Sequence, residues 1–220
     1  MIELNNQYLR VLISETGGKM QSIYGKKTDT EYLWQGDPAY WKGTAPNLFP
    51  FIGRLFGKRY LLNGKSYDMK IHGFLSSQPM QVLAQEPDSV VLVVEDTEQT
   101  MAVYPYRFRL QLSYRLVEKT LHIAFSIQNG SKCTLYFGIG GHPGFRVPME
   151  DGLNFSDYSL SFDTACEPKL IEFSKDVLCT GVRTPYPLQQ GRMLPLKHDL
   201  FNQDAIVLAD APRKVTLSST

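Results

Sequence analysis

Three short segments carry side chains that could hold a polar substrate and move a proton on it. The first is Thr44-Ala45-Pro46-Asn47-Leu48-Phe49-Pro50-Phe51-Ile52-Gly53-Arg54. Its two prolines fix the backbone, and Gly53 allows close approach just before the arginine. The second is Lys70-Ile71-His72-Gly73-Phe74, and the third is Phe137-Gly138-Ile139-Gly140-Gly141-His142-Pro143-Gly144-Phe145, where four glycines surround one histidine. Imidazole has an ordinary pKa of ~6.5, so it can give up and recover a proton near neutrality. A guanidinium stays charged and can hold a hydroxyl or ring oxygen without releasing its proton. Arg54, His72 and His142 are therefore candidates for acid–base work on a polar substrate. The same residues also have a plain structural reading, His72 and His142 as hydrogen-bonded packing residues and Arg54 as an ion-pair partner. Trp34 and Trp41 read as core residues sooner than as stacking platforms for a ligand ring. His122, on the polar face of a strand, and His198, in a turn framed by Pro195 and Asp199, have less claim to a site.

The elements that must position these residues are strands. From 107 to 116 polar and apolar residues alternate strictly, and from 121 to 128 they do so again, with Leu121, Ile123, Phe125 and Ile127 on one face. Val117-Glu118-Lys119-Thr120 is short enough for a hairpin, so the two runs are expected to pair antiparallel with Leu110, Leu112, Ile123 and Phe125 buried. Further strands are expected at 8–14, 80–84, 89–95, 132–138, 158–162, 205–208 and 214–218. A strand-turn-strand around Leu62-Asn63-Gly64-Lys65 would carry Arg54, Lys58, Arg59, Lys65 and Lys70 on a solvated basic face. Only 37–42, and a turn near 174–178, have helical character. The expected architecture is all-β, a sandwich or closed barrel formed as a single domain over 1–220.

Composition narrows the function. The chain has 220 residues, 43% of them hydrophobic and 20% charged, which excludes disorder and collagen-like repeats. With 23 Lys+Arg against 22 Asp+Glu it lacks the basic excess by which nucleic-acid binders are recognised. No run approaches 18 apolar residues, and Glu3, Arg10 and Glu15 interrupt any signal-peptide core. A soluble cytoplasmic protein with no membrane or nucleic-acid partner is expected. Cys133, Cys166 and Cys179 have no C-x-x-C spacing and read as free thiols. The four histidines lack metal-ligand spacing, Gly138-Ile139-Gly140-Gly141 opens no helix, and no G-x-S-x-G elbow is present. Neither a metal nor an organic cofactor is expected.

Taken in order, these segments resemble the aldose 1-epimerase (galactose mutarotase) family and, within it, a LacX-like bacterial branch. The resemblance rests on Trp34-Gln35-Gly36-Asp37-Pro38-Ala39-Tyr40-Trp41, the run ending at Arg54, Leu62-Asn63-Gly64-Lys65-Ser66-Tyr67, Ile71-His72-Gly73-Phe74, Tyr104-Pro105-Tyr106, and Gly140-Gly141-His142-Pro143-Gly144-Phe145. Leu196-Lys197-His198-Asp199-Leu200-Phe201 and Asp204-Ala205-Ile206 extend it over essentially the whole chain. It implies an antiparallel β-supersandwich that binds a pyranose in an open cleft and interconverts its α and β anomers without a cofactor. A base takes the C1 hydroxyl proton and an acid protonates the ring oxygen, after which the open aldehyde rotates and recloses. On this resemblance His142 matches the general acid, His72 and Arg54 match a sugar-binding and polarising pair, and Asp204 matches a carboxylate that holds sugar hydroxyls.

Two departures qualify what the resemblance implies. The family's general base is a glutamate in a segment that would follow the strand at 214–218, and this sequence ends at Thr220. Glu118, Glu167 and Glu172 lie in no matching motif. The expectation is therefore a chain lacking its C-terminal strands, one that binds sugar with little turnover. Second, Leu75-Ser76 follow the I-H-G-F motif where many relatives have Ala-Arg, which favours a neutral aldose over a phosphorylated hexose, although Lys58 and Arg59 could compensate. Two alternatives from other classes stand beside the isomerase: a non-catalytic carbohydrate-binding β-sandwich, and a packing-only β-domain with a protein interface.

Overall fold

Alternation in the sequence becomes antiparallel pairing in the structure, a computed structural model that describes residues 1–219. The chain forms two compact units, Met1–Arg146 and a second beginning at Val147. The first unit opens with a four-stranded sheet of consecutive neighbours, β1 (Ile2–Asn5), β2 (Leu9–Ile13), β3 (Met20–Gly25) and β4 (Thr30–Glu31). A short strand, β5 (Asn47–Leu48), precedes the hairpin of β6 (Arg59–Leu62) and β7 (Lys65–Asp68). That hairpin turns on Asn63-Gly64, both with positive φ (51° and 79°), the turn chemistry that matches the strand twist. A meander follows: β8 (Gln81–Glu86), β9 (Ser89–Glu95), β10 (Phe108–Val117) and β11 (Thr120–Asn129). Then β12 (Gly140–Gly141) returns to pair with β5.

The core of this unit is built by period two. On β10, Phe108, Leu110, Leu112, Tyr114 and Leu116 are all buried, while Arg115 and Val117 are exposed. Leu4, Val11 and Ile13 from the first sheet and Val90, Leu92 and Val94 from β9 join them in one continuous cluster. Phe49 is completely buried, its ring 5.1 Å from that of Phe108, 5.8 Å from Tyr104 and 5.9 Å from both Phe74 and Phe137. Aromatic contacts at these separations fix side-chain geometry as well as burying area.

Four expectations need correction. Strands β10 and β11 pair antiparallel as expected, with Leu112 opposite Phe125 and Tyr114 opposite Ile123, but Ile123 is 41% exposed and Phe125 only half-buried. Among the described strands β11 has only β10 as a neighbour, so its apolar stripe is covered from one side. The segment 132–138 is not a strand: the Asn129 side chain donates to the Cys133 carbonyl and accepts from the Ser131 amide, while the Gly138 amide goes to Pro50, so its polar groups are used in a loop. Residues 37–42 make one turn, in which the Asp37 carbonyl accepts from the Tyr40 and Trp41 amides, and no helix follows. The α-helix lies elsewhere, α1 (Glu98–Val103), started by Thr97, whose hydroxyl accepts from the Thr100 amide while the Thr100 hydroxyl accepts from the Thr97 amide.

The second unit contains β13 (Tyr158–Phe162), β14 (Lys169–Phe173), β15 (Cys179–Pro185), β16 (Met193–Pro195), β17 (Leu208–Ala209) and β18 (Val215–Ser219). They form two three-stranded antiparallel sheets, ordered β16-β13-β18 and β15-β14-β17. Of the strand expected at 205–208, only its last residue is in β17. The buried Tyr158 hydroxyl accepts from the Met149 and Glu150 amides, tying the start of this unit to its first strand.

Candidate functional site

The three segments singled out in the sequence are joined in the first unit by backbone hydrogen bonds. Going along the first segment, the Thr44 carbonyl accepts from the Gly144 amide at 2.8 Å, Pro46 from His142 at 2.9 Å, and Pro50 from Gly138 at 2.7 Å. The β5–β12 pairing, with Asn47 opposite Gly141 and Leu48 opposite Gly140, fills the gap between. On its other side the Phe49 carbonyl accepts from Phe74 (2.9 Å) and Leu75 (3.2 Å). Glycine is required where this junction is tightest. Gly73 has φ 76°, and a Cβ there would stand 2.2 Å from the Phe49 oxygen.

His72 is held twice by Gly53. Its amide donates to the Gly53 carbonyl at 3.0 Å, and its Nδ1 accepts from the Gly53 amide at 3.1 Å. A backbone N–H can only donate, so Nδ1 must carry a lone pair, and the neutral ring bears its proton on Nε2. His72 thereby presents a hydrogen-bond donor at that atom. Arg54 follows Gly53 directly, so its backbone is anchored by the same pair of bonds. His142 is exposed, and its ring centroid lies 5.4 Å from that of His72 and 5.3 Å from that of Trp41. The structure thus brings His72 and His142 side by side, with Arg54 tied to His72 through Gly53. Asp204 belongs to the second unit, exposed, with φ 79° and its amide on the Phe201 carbonyl, and is not one of these joined residues.

A polar network underpins the junction. The buried Asn47 amide donates to the carbonyls of Gly17 and Gly18, both at 3.0 Å, and to the Tyr114 hydroxyl at 3.1 Å. The Tyr114 hydroxyl in turn donates to the Gly18 carbonyl at 2.7 Å. Burial pushes the Tyr114 pKa up to about 12, with the Asn47 amide pulling the other way, so the hydroxyl keeps the proton that this bond needs. Asn47→Ala should destabilise the fold by about 1–3 kcal/mol, the cost of orphaning buried acceptors. Because Asn47 lies opposite Gly141, the His142 imidazole resonances should also shift. Urea unfolding and NMR would show both, and an unchanged midpoint would remove Asn47 from the supporting frame.

The sequence profile of the aldose 1-epimerase family matches residues 1–219. The chain belongs to that family. It is 34% identical over 230 residues to the plasmid-encoded protein LacX of Lactococcus lactis, covering 99% of this chain and 75% of LacX. A galactose mutarotase related enzyme from Lactobacillus acidophilus superposes with a TM-score of 0.92 at 32% identity, over 99% of this chain and 73% of that one. A galactose mutarotase-like protein from Lactobacillus casei gives 0.93 at 29%, over 100% and 75%. The fold of this aldose 1-epimerase family member is accordingly mostly β, antiparallel and galactose mutarotase-like.

Two residues of the site were not legible as such. Trp41 read as core, yet it is half-buried beside His142, and its carbonyl accepts from the Trp34 indole at 2.7 Å. The signal was present in Gly144, whose position leaves no room for a side chain: a Cβ there would stand 2.8 Å from the Trp41 ring. Asn47, given no role of its own in the sequence, is buried in the fold. Among the described residues no group of His, Cys, Asp and Glu is arranged to hold a metal ion.

Proposed function

We propose that this chain is an aldose 1-epimerase acting on a hexopyranose, with His142 as the general acid. The observation that carries this reading is the pair of imidazoles 5.4 Å apart, one exposed and one fixed by Gly53. Anomer exchange requires a proton to leave the C1 hydroxyl as the bond from C1 to the ring oxygen breaks and that oxygen gains a proton. The exposed His142 can deliver the proton to the ring oxygen and recover it on ring closure. His72 donates from Nε2 to a sugar oxygen, and the Arg54 guanidinium polarises the same region. Trp41 offers an aromatic face to the C–H side of the ring. A carboxylate outside these assignments takes the C1 proton. Family membership and the LacX-like and mutarotase-like relatives support the reading.

The test is polarimetry on freshly dissolved glucose and galactose with the protein expressed from its whole gene, together with NMR of the imidazoles during sugar titration. Acceleration over the spontaneous rate, with both imidazole signals moving, is expected. No acceleration combined with unmoved imidazoles would overturn the proposal. Movement without acceleration would favour the carbohydrate-binding alternative.

A further inference from the structure

A cavity of about 530 Å³ in the first unit lies against the candidate site without being part of it. Its floor is Met69, Phe74 and Val103, and three cations, Lys58, Arg59 and Lys70, line it with a single carboxylate, Asp68. In a chain with almost equal numbers of acids and bases, that is a marked local imbalance. Among the described residues none of the three cations is ion-paired, and Asp68 lies opposite Arg59 in the β6–β7 hairpin without pairing with it.

The backbone here is held in an unusual form. Gly57 and Lys58 are consecutive left-handed residues, with φ 58° and 57°. Two backbone bonds hold Lys58 in place: its amide donates to Leu55 at 3.0 Å, and its carbonyl accepts from Met69 at 2.8 Å. A non-glycine residue in this region costs of order 1 kcal/mol, which the surrounding bonds must offset. The result is that Lys58 stands on the cavity wall beside Arg59.

The cavity shares chain with the site at two places. Gly73 lines it and is covalently next to His72, so the two Cα atoms are about 3.8 Å apart. Lys70 and Gly73 are joined by a hydrogen bond of 3.1 Å that closes the turn containing His72. On the other flank, only Leu55 and Phe56 separate Arg54 from Gly57. A ligand seated among the cations therefore rests on the wall that carries His72.

We propose that this cavity is an anion site for a phosphoryl group. Three cations around an apolar floor suit a compact dianion attached to a ring, and the Arg59 fork can take two phosphate oxygens at once. The cavity places this set of cations within one turn of His72. The phosphoryl group could be carried by a sugar held at the imidazoles or could come from free phosphate, and the recognition chemistry is the same. The sugar arm rests on the function proposed above, whereas the phosphate arm stands without it.

The experiment titrates the protein with inorganic phosphate, glucose 6-phosphate and glucose, following backbone amides by NMR and affinity by calorimetry. Inorganic phosphate should move the amides of Lys58, Arg59, Lys70 and Gly73, and the response should weaken as salt is raised. The Arg59→Gln/Lys70→Gln double variant should weaken phosphate and glucose 6-phosphate at least tenfold while leaving glucose affinity unchanged. Both positions are exposed, and retention of the wild-type amide spectrum elsewhere would show that the variant folds. Glucose 6-phosphate binding more tightly than phosphate and glucose apart would assign the phosphoryl group to a sugar. Equal binding of phosphate with or without glucose would assign it to a separate anion. Absence of any cavity response to either phosphate probe, or wild-type affinity in the double variant, would overturn the proposal. Loss of glucose binding alone would instead count against the epimerase reading.

Discussion

His142→Gln should slow mutarotation by about 10²–10⁴-fold and change pyranose affinity only a few-fold. A positioned general acid contributes a rate factor of that order. Glutamine keeps comparable reach and a hydrogen-bond donor but has no proton to deliver at neutral pH. The fold should be indifferent to the exchange, because His142 is joined to its neighbours through its amide, on the Pro46 carbonyl, and its ring is exposed. Polarimetry paired with calorimetry measures the two effects separately. A variant with the full rate would remove His142 from the chemistry, and a variant that bound no sugar would make it a binding residue instead.

Gly73→Ala should cost the fold more than about 3 kcal/mol. The left-handed backbone alone accounts for about 1–2 kcal/mol, and the rest comes from collision. At φ 76° a Cβ would meet the Phe49 oxygen at 2.2 Å, its carbonyl carbon at 2.5 Å and the Pro50 nitrogen at 2.7 Å, all backbone atoms that cannot swing away. Any shift of Phe49 strains its bonds to Phe74 and Leu75 and displaces a ring that contacts four other aromatic rings. Gly64→Ala is the internal comparison: φ is 79° there but nothing lies within 4 Å, so only the conformational penalty applies. Urea midpoints of the two variants decide the matter, and equal losses would show that close approach at Gly73 contributes nothing.

What could be read without coordinates was what local pattern encodes. The β10–β11 hairpin was legible because strict alternation leaves one face apolar, and the Asn63-Gly64 turn because only certain residues adopt positive φ readily. The oddity of Arg54, His72 and His142 was legible too, since glycines crowd around polar side chains for a reason. Burial across β11 was not, because alternation says which face is apolar and not what covers it, and Ile123 has cover on one side only. Helix α1 was overlooked because six residues are too few for a helical period, and its signature was the Thr97–Thr100 cap. The loop at 132–138 has strand-like composition, but the partners of Asn129 and Gly138 lie in loops. The placement of Trp41 and Asn47 depends on contacts between residues far apart in sequence, which no local pattern records.

The seam that joins the three segments is made almost wholly of main-chain amides and carbonyls, and this bears on how the protein can diversify. A frame of peptide groups is indifferent to most side chains that decorate it. Mutational drift at exposed positions along the seam, such as Ile52 or Phe145, leaves these main-chain bonds in place. Constraint collects instead at a few positions, Gly73, Gly144 and Asn47, where a missing side chain or one buried amide is the structural part. Selection for a new substrate could therefore proceed by single steps around a fixed pair of histidines, and a library built to alter preference should randomise the former positions and leave the latter untouched.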